Sequence, residues 1–142
     1  MKLPDTNVLL YAVNRSAPQQ PAAVRWLGEA FDGEAGVALS WVALLGFIRI
    51  ATRQGILPQP LSIESAFQVV DQWLSHPMAR VVHPGARHAA LLGRFLLGAG
   101  SAGNLTNDAH LAALAIEHGA TLGSFDRDFT RFAGLDFVLL AS

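Results

Sequence analysis

The chain has 142 residues, a formal net charge of −1 and no cysteine. This length is enough for one domain with a proper hydrophobic core, and the lack of cysteine excludes disulfides and thiolate metal sites. Hydrophobic residues make up 51% of the sequence and the mean hydropathy is +0.34, which is high for a soluble protein. No apolar run has the length of a membrane span, so the surplus suggests burial against a partner. We expect a single cytoplasmic domain over residues 1–142, without a signal peptide or a membrane contact. The small net charge indicates no global basic field for nucleic acid, although local patches are open.

The predicted elements alternate short strands with longer helices. Apolar runs predict strands at Leu3-Pro4, Val37-Ala38-Leu39, Arg80 to His83, Thr121 to Ser124 and Phe137 to Leu140. Helical periodicity and capping residues predict helices that start at Thr6, Pro21, Trp41, after Ser62, at Ala86, and after a cap at Asn104 or Thr106, with a short helical segment from Arg127 to Phe132. The alternation indicates an α/β fold in which a parallel sheet has helices on both faces.

The first dozen residues place a carboxylate where an α/β fold does its chemistry. A short apolar lead runs into Asp5, and the polar pair Thr6 and Asn7 begins the following helix. Both residue types favour helix N-termini because their side chains accept hydrogen bonds from free backbone N–H groups. Ligands of open α/β sheets bind just past the carboxyl ends of the strands, which is where Asp5 would lie. The simpler interpretation is that Asp5 only caps the helix.

Three further aspartates have comparable positions near the other end of the chain. Asp108 lies in the first turn of the helix after Thr106, and Asp126 and Asp128 follow the fourth strand. Carboxylates at strand ends and helix starts of one sheet can converge on a single point. Each also has a purely structural interpretation: Asp108 is favourable near any helix N-terminus, and the other two can begin a helix and pair with a nearby arginine.

Converging carboxylates indicate a hard metal ion. Without a cation they repel one another and their pKa values rise, whereas Mg²⁺ or Mn²⁺ takes oxygen ligands and Mg²⁺ keeps several waters. A metal-bound water is easier to deprotonate, and the ion stabilises charge on a phosphate, so the pattern indicates hydrolysis of a phosphodiester. Ser124 is either a strand-end hydroxyl or a group that orients a water or phosphate. Asn104 is either a cap or a supporting residue.

Three segments resemble the PIN-domain family and, more narrowly, the VapC-type toxins of bacterial toxin–antitoxin pairs. They are Leu3-Pro4-Asp5-Thr6-Asn7-Val8-Leu9, Asn107-Asp108-Ala109-His110-Leu111-Ala112-Ala113-Leu114-Ala115, and Gly119-Ala120-Thr121-Leu122 leading into Ser124-Phe125-Asp126-Arg127-Asp128-Phe129. Their order and the chain length match as well, so the resemblance covers essentially the whole chain. It implies a PIN-like three-layer fold, with a short parallel sheet flanked by helices.

The resemblance also implies an activity, partners and site residues. It implies an Mg²⁺- or Mn²⁺-dependent endoribonuclease that cleaves cellular RNA, forms a homodimer and is held inactive by a cognate VapB-like antitoxin. The residues that match the family pattern are the metal-binding acids Asp5, Asp108 and Asp126, the accessory acid Asp128, and the supporting residues Thr6, Asn7 and Ser124.

The sequence departs from the family pattern at one position. A glutamate usually occurs in the helix that we predict from Trp41 to Arg53, and Gly46 stands in its place. A glycine brings no ligand and lowers helix stability by about 1 kcal/mol relative to alanine. We therefore expect the cation to be held more weakly, with extra water. Arg49 lies one helical turn on and could contact a phosphate.

Two other functions are open. In the first, the fold is kept, catalysis is lost with the missing glutamate, and the protein binds RNA or a protein partner. In the second, the chain is an unrelated α/β enzyme such as a phosphatase, which needs a second acid close behind a nucleophilic aspartate. Asp5 is followed by Thr6 and Asn7, which argues against a phosphatase.

Partner surfaces are expected on two apolar helical stretches, Trp41 to Ile50 and Leu91 to Leu97. These suit a dimer face or an antitoxin groove, or they are simply buried in the core. Single-stranded loops are the usual sequence-specific targets on RNA, so we expect a tRNA or rRNA substrate. Arginines would contact it mostly through phosphates, and the candidates are Arg15, Arg49, Arg53, Arg127 and Arg131.

Overall fold

A five-stranded parallel sheet forms the centre of the computed structural model, which describes residues 1–100 and 103–141, apart from the side chain of Asn104. Its strands are β1 (Lys2–Pro4), β2 (Val37–Leu39), β3 (Ala79–Val81), β4 (Thr121–Ser124) and β5 (Phe137–Leu139). The helices are α1 (Thr6–Val13), α2 (Gln20–Asp32), α3 (Trp41–Ala51), α4 (Ile63–Ser75), α5 (His88–Ala99) and α6 (Thr106–His118), with short 3₁₀ helices at Gly103–Leu105 and Arg127–Arg131.

The strand order β3-β2-β1-β4-β5 makes β1 the centre of the sheet. The chain first adds β2 and β3 on one side of β1 and then returns to add β4 and β5 on the other. β1 and β4 run in parallel with Pro4 opposite Gly123, and the N–H of Asp5 donates to the carbonyl oxygen of Gly123 at 3.0 Å. The carboxyl ends of β1 and β4 therefore meet at the topological switch point, where α/β folds bind their ligands.

Helices cover both faces of the sheet, as the alternating pattern predicts. On one face α5 and α6 pack against Leu3 and Leu122, and on the other α3 and α4 pack against Val37 and Leu39. Helix α6 is buried over most of its length, at Ala109 and at residues 111–115. Its small alanine side chains let it lie close to the sheet, and this packing fixes the position of Asp108 in its first turn.

The predicted element order is confirmed, and a few boundaries are corrected. The third strand is Ala79–Val81 rather than Arg80 to His83, because it follows β2 residue by residue, with Ala79 opposite Val37. Helix α6 has neither of its predicted caps. Its N-cap position is Leu105, without a side-chain cap, because a 3₁₀ turn leads directly into the helix.

Helix α5 is capped from outside its own sequence. Its N-cap residue, Arg87, makes no side-chain cap. Instead the carboxylate of Glu117, on α6, accepts hydrogen bonds from the N–H groups of Gly85 at 2.9 Å and Arg87 at 3.2 Å. This contact ties α5 to α6 at the end of α5 where its backbone donors need partners. Among the described residues, no helix is both long and apolar enough to cross a membrane.

Gly123 in β4 allows close contact between the sheet and α2. A Cβ atom at this position would lie 2.4 Å from Cζ2 of Trp26, well inside van der Waals contact. Trp26 is a buried residue of α2, and Nζ of Lys2 lies 5.2 Å from its ring centroid. The indole ring therefore occupies the space that any larger residue at position 123 would need.

We predict that Gly123→Ala lowers the free energy of unfolding by about 1–3 kcal/mol, because the buried indole must move to admit the methyl group. Urea denaturation followed by circular dichroism measures the change. Gly28→Ala is the matched control, since Gly28 lies on the same helix as Trp26 and has no heavy atom within 4 Å of an added Cβ. That control should gain about 0.5–1 kcal/mol from better helix propensity. Equal stability of the two variants would contradict this packing.

Candidate active site

Asp5 is the buried carboxylate at the switch point, directly after β1. Its Oδ1 accepts from the backbone N–H of Thr6 at 2.7 Å, and its Oδ2 accepts from the hydroxyl of Ser124 at 2.7 Å. The first bond makes Asp5 the N-cap of α1. The second joins the end of β1 to the end of β4. The helix cap uses only Oδ1, so capping α1 does not exclude a second role for the Asp5 carboxylate.

Ser124 is the fully buried centre of this network. Its hydroxyl donates to Asp5, and it accepts from the backbone N–H of Asp126 at 3.0 Å and from Nδ2 of Asn7 at 3.0 Å. Oδ1 of Asn7 in turn accepts from the N–H of Phe125 at 3.2 Å. Ser124 is therefore more than a strand-end hydroxyl, because its hydrogen bonds orient Asp5 and the backbone that carries Asp126.

The polar pair after Asp5 does not cap α1, contrary to the expectation from sequence. The hydroxyl of Thr6 donates to the carbonyl oxygen of Ala43 on α3 at 3.2 Å, and Asn7 reaches across to Ser124. Asp5 already supplies the cap. Both side chains are therefore free to hold α1 against its neighbours, which supports the first aspartate indirectly.

A cleft of about 220 Å³ opens next to this network, between α1, α3 and α6. It brings together Asp5 and Asp108, the two acids that lie about a hundred positions apart in the sequence, with Arg49 at the same cleft. Asn107, which directly precedes Asp108 in one of the family-like segments, also lines the cleft. The lining residues are Asp5, Thr6, Val42, Gly46, Arg49, Ile50, Asn107, Asp108 and Leu111.

Burial and neighbouring acids disfavour the charged forms of Asp5 and Asp108. Burial raises the pKa of the Asp5 carboxyl, and the negative charge of Asp126 raises it further, against the hydrogen bonds from Ser124 and Thr6. Burial, followed by the charges of Asp5, Asp126 and Asp128, raises the pKa of the half-buried Asp108 to about 6. The four predicted aspartates thus contribute to one negative electrostatic field around Asp108; that they form one site stays a prediction.

Asp126 and Asp128 lie at the edge of this field. Asp126 is the N-cap of the 3₁₀ helix Arg127–Arg131, and its Oδ1 accepts from the N–H of Asp128 at 2.9 Å. Asp128 is exposed, with Oδ1 at 3.8 Å from Nη2 of Arg131. The simple expectation that these acids start a helical turn and pair with an arginine is therefore met. Their charges also raise the pKa of Asp108, so they affect the cleft as well as the local turn.

The donor set fits a hard divalent cation held by few protein ligands. Among the described residues, no three His, Asp or Glu side chains are grouped closely enough to bind one metal ion together. Asp5 and Asp108 nevertheless line one cleft and offer only oxygen atoms, and Mg²⁺ is commonly held by one or two carboxylates with several waters. A cation there would offset the burial and the repulsion that raise the pKa of Asp108.

Gly46, which stands where the family pattern has a glutamate, packs closely against Thr6. A Cβ atom on Gly46 would lie 2.6 Å from Oγ1 and 3.0 Å from Cγ2 of Thr6. Thr6 uses that space for its hydrogen bond to α3. The glycine is therefore matched to Thr6, and any larger residue at this position requires the threonine side chain to move.

The remaining candidate residues are spread more widely. Arg49 lines the cleft, Arg127 and Arg131 are exposed on the 3₁₀ helix, and Arg53 is exposed beyond α3. Arg15 lines a separate groove with Leu57 and Leu61. The side chain of Asn104 lies outside the described part of the chain. The structure thus brings Arg49 to the acids of the cleft, but not Arg15.

The family model described as "PIN domain" matches residues 2–135. Ribonuclease VapC37 of Mycobacterium tuberculosis is 49% identical over 135 residues, which cover 95% of this chain and 94% of that protein. Ribonuclease VapC33 of the same species is 41% identical over 138 residues, covering 97% of this chain and 96% of that protein.

Solved structures share the architecture at low sequence identity. VapC20 of Mycobacterium tuberculosis, described as a sarcin-ricin loop cleaving toxin, has a TM-score of 0.71 at 18% identity, covering 96% of this chain and 98% of that one. A chain of the VapBC2 complex of Rickettsia felis, bound to a DNA fragment from its promoter, has a TM-score of 0.71 at 21% identity, covering 99% and 98%. The predicted PIN-like three-layer fold is thereby confirmed.

The raised pKa of Asp108 predicts how stability depends on pH. Because its folded pKa of about 6 exceeds the ordinary 3.8, the carboxyl favours folding below pH 3.8, and this contribution is lost as the pH rises through 6. In EDTA at pH 8, Asp108→Asn should therefore be more stable than wild type by about 1 kcal/mol, after discounting for partial solvent screening.

Urea denaturation from pH 4 to pH 8 measures this effect. The matched control is Asp71→Asn, which removes an exposed carboxyl on α4 and should change stability by less than about 0.5 kcal/mol. Added Mg²⁺ should then stabilise wild type but not Asp108→Asn, because the variant has lost a ligand. An identical pH profile for wild type and Asp108→Asn would show that Asp108 feels no such field.

The packing of Gly46 predicts that restoring a glutamate fails by itself. Gly46→Glu and Gly46→Ala should each destabilise the protein by about 1 kcal/mol or more, since the new Cβ displaces Thr6 and breaks its hydrogen bond. In a Thr6→Ala background both should be tolerated, because the two closest atoms are gone. A double-mutant cycle by urea denaturation measures the coupling. Strict additivity would mean that the two side chains do not compete for space.

Proposed function

The chain belongs to the PIN domain family and is similar to VapC ribonucleases. On that premise we propose that it is the toxin of a toxin–antitoxin pair and that it cleaves cellular RNA as a metal-dependent endoribonuclease. The observation that carries the proposal is the cleft holding Asp5 and Asp108 at the switch point of the sheet. Two partly buried carboxylates facing one cavity are costly unless a cation occupies it.

Each residue of the cleft has a part in this proposal. Asp5 and Asp108 would hold Mg²⁺ or Mn²⁺, and Asp126, with Asp128 as an accessory acid, would add negative charge at its edge. When bound, such an ion supplies positive charge for the phosphate and makes a water easier to deprotonate. Ser124 keeps the carboxylate of Asp5 in one orientation by its hydrogen bond to Oδ2. This removes the need to reorganise the carboxylate during the reaction.

Arg49 would bind the substrate phosphate at the same cleft. Arg49 lines the cavity with Gly46 and Asn107, and Gly46 stands where the family pattern has a glutamate. A guanidinium donates two parallel hydrogen bonds to a phosphate. The substrate we propose is a single-stranded loop of tRNA or rRNA, because unpaired bases leave the sugar–phosphate chain accessible to a narrow cleft.

A VapB-like antitoxin would cover the apolar ledge on α3, formed by Trp41, Val42, Leu45 and Ile48. Leu45 is 59% exposed and Trp41 42% exposed, and the ledge is continuous with Arg49 and Asn107 at the cleft. A partner on the ledge would therefore also block the acids. We assign homodimer formation to the exposed apolar end of α5, where Leu97 is 84% exposed, and place the protein with its RNA in the cytoplasm.

A second candidate function has one specific observation in its favour. Gly46 is packed against Thr6, and the residues that the structure describes include no group of three potential ligands. A PIN fold that binds RNA without cutting it would tolerate both features. The test below separates the two functions.

The test is to incubate the purified chain, free of antitoxin, with total bacterial RNA in Mg²⁺, Mn²⁺ or EDTA. We expect discrete fragments that require metal. Asp5→Asn and Asp108→Asn should lower the cleavage rate by at least about 100-fold, since even outer-shell changes at metal sites cost about 10- to 100-fold. Circular dichroism would verify that the variants remain folded, and Asp71→Asn should cut normally.

Two results would count against the proposal in different ways. If Asp5→Asn or Asp108→Asn cut RNA at the wild-type rate, the site assignment would be wrong, although the proposed activity would stand. A folded wild-type chain that binds RNA but cuts none in either metal would instead favour the binding function.

A further inference from the structure

A second and larger cleft, lined by two arginines, opens between α5 and the 3₁₀ helix Arg127–Arg131. Its volume is about 470 Å³, which lies in the range of small-molecule sites. We call it the arginine cleft. Neither the family motifs nor the proposed metal site uses Arg94, which lines it from α5. Its lining includes Arg94, Phe95, Gly98, Ala99, Arg131 and Phe132.

The floor of the arginine cleft is apolar. Phe95 and Phe132 are both buried, with their ring centroids 5.0 Å apart. The wall beside them consists of the small residues Gly98 and Ala99, which leave room for a flat group. An apolar surface of this kind packs against a sugar or a base, and it offers no ligand to a bare ion.

Two arginines line the cleft together with these rings. The Cζ atom of Arg94 lies 5.1 Å from the ring centroid of Phe95, a cation–π contact that restrains the guanidinium there. Arg131 has an ion-pair partner in Asp128, at 3.8 Å, but both side chains are about half exposed. Such a pair contributes little, so Arg131 can exchange the carboxylate for a phosphate at small cost.

Arg131 links the arginine cleft to the acidic one. Its positive charge is felt by Asp108, where it opposes the effect of the neighbouring aspartates. Asp126 and Asp128, which also act on Asp108, begin the same 3₁₀ helix. An RNA strand bound at the acids could therefore extend to Arg131, which lines the arginine cleft together with Arg94.

We propose that the arginine cleft binds one nucleotide of the RNA substrate, next to the scissile phosphodiester, with its phosphate on Arg94 and Arg131. The inference rests on the proposed function and adds a substrate-positioning site to it. Guanidiniums bind phosphates in a bidentate manner, and the apolar floor accommodates the attached sugar or base. A lone carboxylate from a protein partner would use the arginines but leave the floor empty.

This site adds to Arg49 a second place at which the chain can hold a phosphate. The formal net charge is −1, so no global field attracts RNA, and the acids of the metal site repel it. A local pair of arginines beside the acids provides an anchor that works before any metal is bound. RNA binding should therefore persist in EDTA and should depend on salt.

The experiment measures binding of a short fluorescein-labelled single-stranded RNA to the full chain in EDTA, by anisotropy across a series of salt concentrations. Arg94→Ala and Arg131→Ala should each weaken binding about 5- to 10-fold at low salt. Each should also reduce the slope of log K against log salt by about 0.7, the value for one phosphate contact on a single strand. Arg94→Lys keeps the charge and should keep the slope.

Arg80→Ala is the matched control, because Arg80 is an exposed arginine on β3, at the opposite edge of the sheet. It should leave both affinity and slope unchanged. An equal loss in Arg80→Ala would mean that only overall charge matters, and unchanged binding in Arg94→Ala would mean that the cleft does not hold RNA; either result overturns the inference. A protein partner's carboxylate in the cleft would give the second result.

Failure of this inference is distinguishable from failure of the proposed function. Metal-dependent cleavage by wild type, together with an Arg94→Ala variant of normal slope and normal KM for RNA, would overturn the arginine cleft alone. A wild-type chain that neither binds nor cuts RNA would overturn both.

Discussion

The hydrogen bond between Oδ2 of Asp5 and the hydroxyl of Ser124 is the contact on which the rest of the site depends. It is 2.7 Å long and buried, and it joins the ends of the two central strands at the point where the chain order of the sheet reverses. The same hydroxyl positions Asn7 and the backbone of Asp126. A buried carboxylate without such donors would be strongly destabilising, so the network offsets the free-energy cost of burying Asp5.

The site nevertheless remains electrostatically unfavourable until a counter-charge arrives. Burial and like charges raise the pKa of Asp108 to about 6, and perturbed pKa values of this kind cluster at functional sites. Arg49 lines the same cleft as Asp5 and Asp108, and Arg131 lies on the 3₁₀ helix that Asp126 caps. Acids therefore line one cleft and arginines lie near it, an arrangement that suits the proposed cleavage of a phosphodiester.

Local patterns predicted most of the fold, because strand ends and helix starts are visible in sequence. Asp5 and Asp108 were placed in one site by motif spacing, and they line one cleft. Contacts between distant segments were not predictable. Nothing near Glu117 shows that it caps α5, and nothing near Gly46 shows that Thr6 occupies its Cβ space. Asn7 resembled a cap for its own helix, but its partner lies 117 positions away.

The most direct test of the central claim is the location of a bound cation, measured by titrating Mn²⁺ into isotopically labelled protein and following the paramagnetic broadening of backbone amide signals. The account predicts that the amides of Asp5, Thr6, Asn107 and Asp108 broaden first, while those of β3, at the far edge of the sheet, are affected last. Mg²⁺ in excess should reverse the broadening. Broadening that is uniform, or that begins at acids away from the cleft, would contradict a metal site formed by Asp5 and Asp108.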